Sequence, residues 1–243
     1  MLCNDEVVPL GRSGKAMTIL KYLLAHRSRP VSQDRLMGWL WPESNLKKAR
    51  WSLNSAIYGL RKLLANWPHL ADCPEHLLLE DGRYRLSPAV RVESDVDEFD
   101  AHFELGRRLE REGKTQAAAE EYERAVQLYR GDYLIDDLYE DWTMVERERL
   151  SNAYVYMLGR LAVHYMESGQ LQESIRACYR ILRKDSCHEE SYRLLMRCYV
   201  RLGLRERALR QYRVCEQNLR RQYGTDPSPE TLSLYRELAE GPS

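Results

Sequence analysis

The sequence lacks most of the patterns that carry enzymatic or membrane chemistry. No apolar run approaches the roughly 20 residues needed to cross a bilayer, and no signal-peptide pattern opens the chain. A cytoplasmic protein with no membrane partner is the expectation. There is no glycine-rich phosphate loop, no nucleophile elbow and no isolated pair of acids in an apolar setting. His26, His69, His76, His102, His164 and His188 share no ligand spacing with one another or with the cysteines. Cys3, Cys73, Cys178, Cys187, Cys198 and Cys215 are scattered without a C-x-x-C pair, which fits reduced thiols better than a disulfide framework or a zinc site. His188 beside Cys187 reads as a turn residue. The chain is therefore expected not to be an enzyme, and to need no cofactor and no metal.

What is present is an uneven distribution of charge. The 243 residues carry no net charge, yet residues 1–88 hold 13 Lys and Arg against 8 Asp and Glu, a net of +5, and the remainder holds 24 against 29. Positive charge gathered in one part of a chain is the electrostatic footprint of a phosphate-binding surface. At this length two domains, each with its own core, are expected.

The N-terminal third reads as strand, three helices and a hairpin. Residues 6–11 suggest a short strand and turn. A helix follows near Lys15 to His26, with Ile19, Leu20, Leu23 and Leu24 at helical spacing. Pro30 ends it, and Ser32 caps a second helix, Gln33 to Trp41, which stops before Pro42. The third helix, Lys47 to Leu64, buries a stripe of Leu53, Ile57, Leu60 and Leu64. Around the rest of its surface lie Lys47, Lys48, Arg50, Trp51, Asn54, Ser55, Tyr58 and Lys62. Residues 76–80 and 83–86 flank Asp81-Gly82, a pair suited to a tight hairpin turn. Three helices and a basic-tipped hairpin describe a winged helix-turn-helix. A major groove about 12 Å wide admits one such helix. Asn54 then suits adenine and Arg50 suits guanine or phosphate. Tyr58, Arg61 and Lys62 suit the backbone, and Arg83 and Arg85 suit phosphates or the adjacent minor groove. The bland alternative is a solvated basic face on an ordinary surface helix.

From Asp95 onward the pattern is helical. Leu161, Tyr165, Gly169 and Ser174 align with Leu195, Tyr199, Gly203 and Ala208 at a shift of 34 residues, the tetratricopeptide period. Leu105, Leu109, Gly113 and Ala118 form an earlier copy, in which Tyr122 matches Cys178 and Tyr212, and an insertion around residues 130–150 separates it from the next. The three copies meet the minimum for a stable stack. Tyr139-Glu-Asp-Trp142 raises the thought of an acidic site; the plainer expectation is that Trp142 anchors the inserted helix in the core while the acids face water. Tyr122, Tyr165, Tyr179, Tyr192, Tyr199 and Tyr212 are expected mostly as packing knobs, some lining the concave surface.

Arg29-Pro-Val-Ser-Gln-Asp-Arg-Leu, Leu40-Trp-Pro-Glu and the run from Ala49 to Leu64 resemble the DNA-binding domain of SARP-type transcriptional activators, bacterial regulators whose winged helix is similar to that of OmpR-type response regulators. The resemblance implies that the helix around Arg50 to Lys62 is the recognition helix, that residues 77–86 are the wing, and that the loop Pro42 to Leu46 contacts RNA polymerase. Gly59 departs from the arginine usual there, and only the last piece of the family's leading sheet is visible. The second half resembles the bacterial transcriptional activator domain. The matching stretches are Asp95-Val-Asp-Glu-Phe, Tyr129-Arg-Gly-Asp-Tyr-Leu, Tyr139-Glu-Asp-Trp, Glu146-Arg-Glu-Arg-Leu, Glu189-Glu-Ser-Tyr-Arg-Leu-Leu-Met and Tyr223-Gly-Thr-Asp-Pro-Ser-Pro-Glu. Asp185-Ser-Cys replaces the family's usual Asp-Pro.

The expected fold class is mainly α: a winged helix-turn-helix domain over residues 1–90 with a small β-hairpin wing, then an all-α tetratricopeptide-like repeat domain over residues 95–243, joined around Ser87 to Glu93. The expected function is a sequence-specific DNA-binding regulator, an activator on repeated half-sites. Its expected partners are double-stranded DNA, RNA polymerase and a second copy of itself on DNA, and an unidentified effector is also open. The alternative is a repeat-protein adaptor whose winged helix binds protein rather than DNA. A hydrolase or transferase has no catalytic constellation to support it.

Overall fold

The computed structural model describes residues 2–3, 6–7, 14–67, 70, 75–90, 92–137 and 140–240. His69, Cys73, Tyr139 and the expected turn at residues 8–11 lie outside the described residues, and of Cys3 only the backbone is described. The chain is mainly helical and divides into two compact units, residues 1–93 and 94–243.

In the first unit, β1 (Leu2–Cys3) pairs antiparallel with β2 (Glu6–Val7). Three helices follow: α1 (Lys15–Ala25), α2 (Gln33–Leu40) and α3 (Leu46–Ala65). Ser32 caps α2 as expected, its hydroxyl accepting the Arg35 amide at 3.2 Å. On α3, Ala49 joins Leu53, Ile57, Leu60 and Leu64 to make one fully buried seam, and both α1 and α2 pack on that helix. Burying a leucine of this kind contributes about 1.5–3 kcal/mol, so the seam fixes which side of α3 faces water.

A strand that the sequence reading does not anticipate lies between the first two helices. β3 (Val31–Ser32) pairs with β5 (Arg83–Leu86), which also pairs with β4 (Leu77–Glu80), giving the antiparallel order β3-β5-β4. Two residues are too few for a period-2 signal. The β4–β5 turn carries Asp81 and Gly82 at φ +48° and +72°, the left-handed values that a two-residue hairpin requires. Gly82 offers its carbonyl to the Gln33 amide at 3.0 Å, so the hairpin is tied to the start of α2.

The second unit stacks three antiparallel helix pairs and a closing helix. The pairs are α4 (Asp95–Arg111) with α5 (Thr115–Leu128), α6 (Asp141–Glu167) with α7 (Leu171–Leu182), and α8 (Glu189–Arg201) with α9 (Arg205–Tyr223); α10 (Pro229–Glu240) packs on α8 and α9. Gly113 and Gly203 sit at φ +74° and +73°. Beyond each, the Lys114 and Leu204 amides donate back to the Leu109 and Tyr199 carbonyls, which closes the first helix of the pair. Ala118, Ser174 and Ala208 are buried where the paired helices meet, and the Ser174 hydroxyl donates to the Ala162 carbonyl at 2.7 Å.

The insertion around residues 130–150 is partly helical, because α6 starts at Asp141 and runs 27 residues. Trp142 is only half-buried, so it is not the core anchor expected; the fully buried residue there is Thr143, whose hydroxyl donates to the Glu140 carbonyl at 2.8 Å. Tyr122, Tyr192, Tyr199 and Tyr212 are buried knobs, whereas Tyr179 is 41% exposed.

Two glycines make opposite predictions. A Cβ at Gly106 would lie 2.5 Å from the buried Tyr122 ring, so Gly106→Ala should destabilise the second unit by about 1–3 kcal/mol through overpacking. A Cβ at Gly59 would meet only Ala16 at an ordinary 3.8 Å, so Gly59→Ala should stabilise α3 by up to about 1 kcal/mol. Urea unfolding of the two variants should move the midpoint in opposite directions.

Candidate nucleic-acid interface

The outward face of α3 begins with its cap. Asn45 Oδ1 accepts the Lys48 amide at 2.9 Å and fixes the first turn one residue earlier than the sequence pattern alone suggests. The first turn then holds Lys47 and Lys48 and no acid. A helix N-terminus carries partial positive charge, so cations there cost stability, about 0.3–1 kcal/mol each. The same feature favours an external anion.

Along the helix the buried seam leaves Lys47, Trp51, Asn54, Ser55, Tyr58 and Lys62 on the opposite side, all exposed, with Lys48 beside them. Trp51 and Tyr58 are each 73% exposed, unusual for rings of this size unless they meet a partner. Arg50 is exposed and flanks the seam. Arg61 is also exposed, but its guanidinium turns back toward the hairpin and donates to the Leu77 carbonyl at 3.4 Å. α3 carries five Lys and Arg and no acid, and none of the five forms an ion pair with a described residue.

The hairpin corrects one expectation. Its tip is not basic, because Glu80 and Asp81 stand at the turn beside Arg83. The antiparallel register puts Leu78, Glu80, Arg83 and Arg85 on one face. Arg85 therefore reaches Glu80 with two hydrogen bonds, Nε to Oε2 at 3.1 Å and Nη2 to Oε1 at 2.9 Å. The guanidinium holds the Glu80 carboxyl below its usual range. Arg83 remains exposed and makes no ion pair with a described residue. On the other face Tyr84 is buried, and that burial pushes its phenol up. Sequence reasoning had the signal for Glu80, since the acid is in plain view, but the diagonal pairing becomes visible only once the register is known.

Other candidate chemistry lies in the second unit. Cys178, Cys187, Cys198 and Cys215 are free and buried, and burial pushes the Cys178 and Cys215 thiols up to about 12. His188 is more than a turn residue: its ring accepts the Ser191 amide and caps α8. Asp185 keeps its turn by accepting the Cys187 amide at 2.9 Å. Among the described residues no group of three His, Cys, Asp or Glu is placed to hold a metal, and no helix is long and apolar enough to cross a membrane.

A model of the bacterial transcriptional activator domain matches residues 94–239, more than half of the chain. The chain belongs to the bacterial transcriptional activator domain family. Two curated proteins extend the likeness of this family member through its N-terminal unit. Transcriptional regulatory protein MoaR1 of Mycobacterium tuberculosis is 26% identical over 231 residues, 95% of this chain and 73% of that protein. Transcriptional regulatory protein EmbR of the same organism is 28% identical over 242 residues, 98% of this chain. This chain spans 60% of EmbR's length. The structure of M. tuberculosis EmbR in complex with a low affinity phosphopeptide superposes with a TM-score of 0.76 at 25% identity, covering 96% of this chain and 60% of that one.

Loss of the α3 cap should be felt locally. Asn45→Ala is expected to destabilise the first unit by about 1 kcal/mol. Hydrogen exchange should quicken at the first-turn amides of α3 while the amides of α4 to α10 keep their rates.

Proposed function

We propose that this chain is a sequence-specific DNA-binding transcription regulator. Residues 14–90 act as a winged helix-turn-helix in which α3 enters the major groove and the β4–β5 hairpin is the wing. The observation that carries the reading is the outer face of α3, where Lys47, Lys48, Arg50 and Lys62 are exposed and lack ion pairs with described residues. In the second unit several cations are neutralised internally, as in Arg149 with Asp100 and Glu146 or Lys184 with Asp132. A folded protein gains nothing from four like charges on one helix without ion pairs to the described residues, whereas a phosphate backbone supplies anions and releases its counterions. The names of MoaR1 and EmbR as transcriptional regulatory proteins support the same reading.

Roles divide by chemistry. Lys47, Lys48 and Lys62 grip phosphates, and Arg50 takes phosphate or guanine. Asn54 pairs with adenine, and Ser55 accepts or donates at a base edge. Trp51 and Tyr58 supply apolar contact with thymine methyls or sugars. Arg61 holds the hairpin against α3 and reaches the backbone from there. Arg83 is the wing cation that makes no ion pair with a described residue, and Arg85 joins it only by giving up Glu80. The exposed loop Pro42 to Leu46 is the RNA polymerase contact, and the helical unit joins two copies on DNA.

A second reading keeps this surface and gives it an acidic protein partner, as in an adaptor; the exposed Trp51 and Tyr58 favour it, because aromatic anchors dominate protein interfaces. Genomic footprinting of the tagged protein separates the two, since only a DNA reader yields a recurrent sequence.

On that sequence, log Kd plotted against log salt should change by about 0.9 per phosphate neutralised. Lys62→Ala should weaken binding to all sequences alike, whereas Asn54→Ala should relax discrimination at one base pair by about 1–3 kcal/mol. A Lys62→Ala variant with an unchanged salt slope would remove this face from consideration. If two copies bind side by side, half-sites should lie about 10–11 base pairs apart. Inserting roughly 5 base pairs should then abolish cooperative binding, and about 10 should partly restore it. Equal binding at every spacing would mean a monomer acts alone.

A further inference from the structure

Charge in the second unit is sharply divided along the chain. Residues 94–170 carry 9 Lys and Arg against 18 Asp and Glu, whereas residues 171–223, which form α7 to α9, carry 13 against 6. Within that basic part a groove of about 630 Å³ opens between α7 and α9, lined by Arg176, Tyr179, Arg180, Arg183, Gln211 and Val214 with Leu182 and Tyr192. Its lining holds three arginines and no acid. The volume lies within the roughly 300–1,000 Å³ typical of small-molecule sites.

The side chains around it are already held in place. Arg180 donates from Nε to the Tyr154 hydroxyl at 3.0 Å, and its guanidinium lies over the Tyr154 ring. The Tyr179 and Tyr199 hydroxyls share a hydrogen bond at 3.1 Å, which fixes a tyrosine ring that is 41% exposed. Arg176 is braced by Glu173, and Arg183 is exposed on the rim with no ion pair to a described residue.

Gln211 is the informative residue. It is 8% exposed and lines the groove. The repeat register matches it with Ala177 in the second pair and Glu121 in the first. Glu121 is equally buried, but it is satisfied inside its own repeat by the His102 ring at 2.6 Å and by Arg124. The Gln211 amide has two N–H donors and an acceptor oxygen; one N–H donates to the Tyr179 hydroxyl, which also shares a hydrogen bond with Tyr199. Because Gln211 lines the groove, its second N–H and its oxygen are available to a donor–acceptor edge placed there.

We propose that the groove between α7 and α9 binds a nucleoside phosphate. The base lies against the Tyr179 ring between Leu182 and Val214, with its donor–acceptor edge on the Gln211 amide, and the phosphate meets Arg183 and Arg176. This proposal is independent of whether α3 reads DNA.

The test is isothermal titration of the full chain with AMP and GMP, alongside pyrophosphate, which has the charge without the ring, and guanosine, which has the ring without the charge. At least one nucleotide should bind more than about tenfold tighter than either fragment. Arg183→Ala should weaken it about tenfold, the worth of one charged hydrogen bond. Gln211→Glu, nearly isosteric, should weaken it at least as much by placing a carboxylate at the groove floor. Val214→Trp on the exposed rim should block entry without disturbing the core, which an unchanged melting curve would verify. Absence of nucleotide binding overturns the proposal. So does pyrophosphate binding as tightly as the nucleotides, which would leave only an arginine-rich rim. Unchanged affinity in Gln211→Glu and Val214→Trp would place the ligand elsewhere and overturn it as well.

Discussion

The apolar seam of α3 is the constraint on which the N-terminal unit depends. Ala49, Leu53, Ile57, Leu60 and Leu64 are all buried beneath α1 and α2, and removing any one of the leucines would cost about 2–5 kcal/mol. Because that side is committed, the remaining surface of the helix is committed too. Lys47, Trp51, Asn54, Ser55, Tyr58 and Lys62 have nowhere to point except outward. The polar face is thus a by-product of packing in its position and a matter of selection only in its chemistry. A mutation in the seam would disturb the outer face as surely as one on it.

The helical unit follows a different economy. Close approach at Ala118, Ser174 and Ala208 sets the spacing within each pair, and glycines in left-handed conformation turn the chain between helices. Within this frame buried polar groups are satisfied locally where the repeat allows, as at Glu121 and Ser174. The long α6 interrupts the regular period and carries its own hydrogen-bonded start, with Arg147 donating to the Tyr133 carbonyl at 2.9 Å. Repetition gives the three pairs the same small-residue contact and glycine turn, and differences at equivalent positions, such as Glu121, Ala177 and Gln211, give each pair its own chemistry.

Much of this arrangement is readable from residue spacing. The stripe at Leu53, Ile57, Leu60 and Leu64, the Ser32 cap, the Asp81-Gly82 turn and the three repeat copies all rest on local rules of period and capping, and each appears where those rules put it. The errors share a cause. The strand Val31–Ser32 is too short to leave a pattern and exists because β5 offers it a partner. The neutral hairpin tip and the half-buried Trp142 likewise depend on what lies across from them rather than beside them in sequence.

By itself, then, the sequence determined the helices, their buried faces, the division of charge and the repeat, because each is a property of residues within a few turns of one another. Tertiary structure alone decided which cations remain uncompensated. Glu80 reaches Arg85 through the register of a hairpin, and Arg61 finds the Leu77 carbonyl 16 residues away. Gln211 came to face Tyr179 only when two helices from different repeats were laid side by side. A side chain's partners across a fold are fixed by packing distance, and packing distance is not written in the order of the chain.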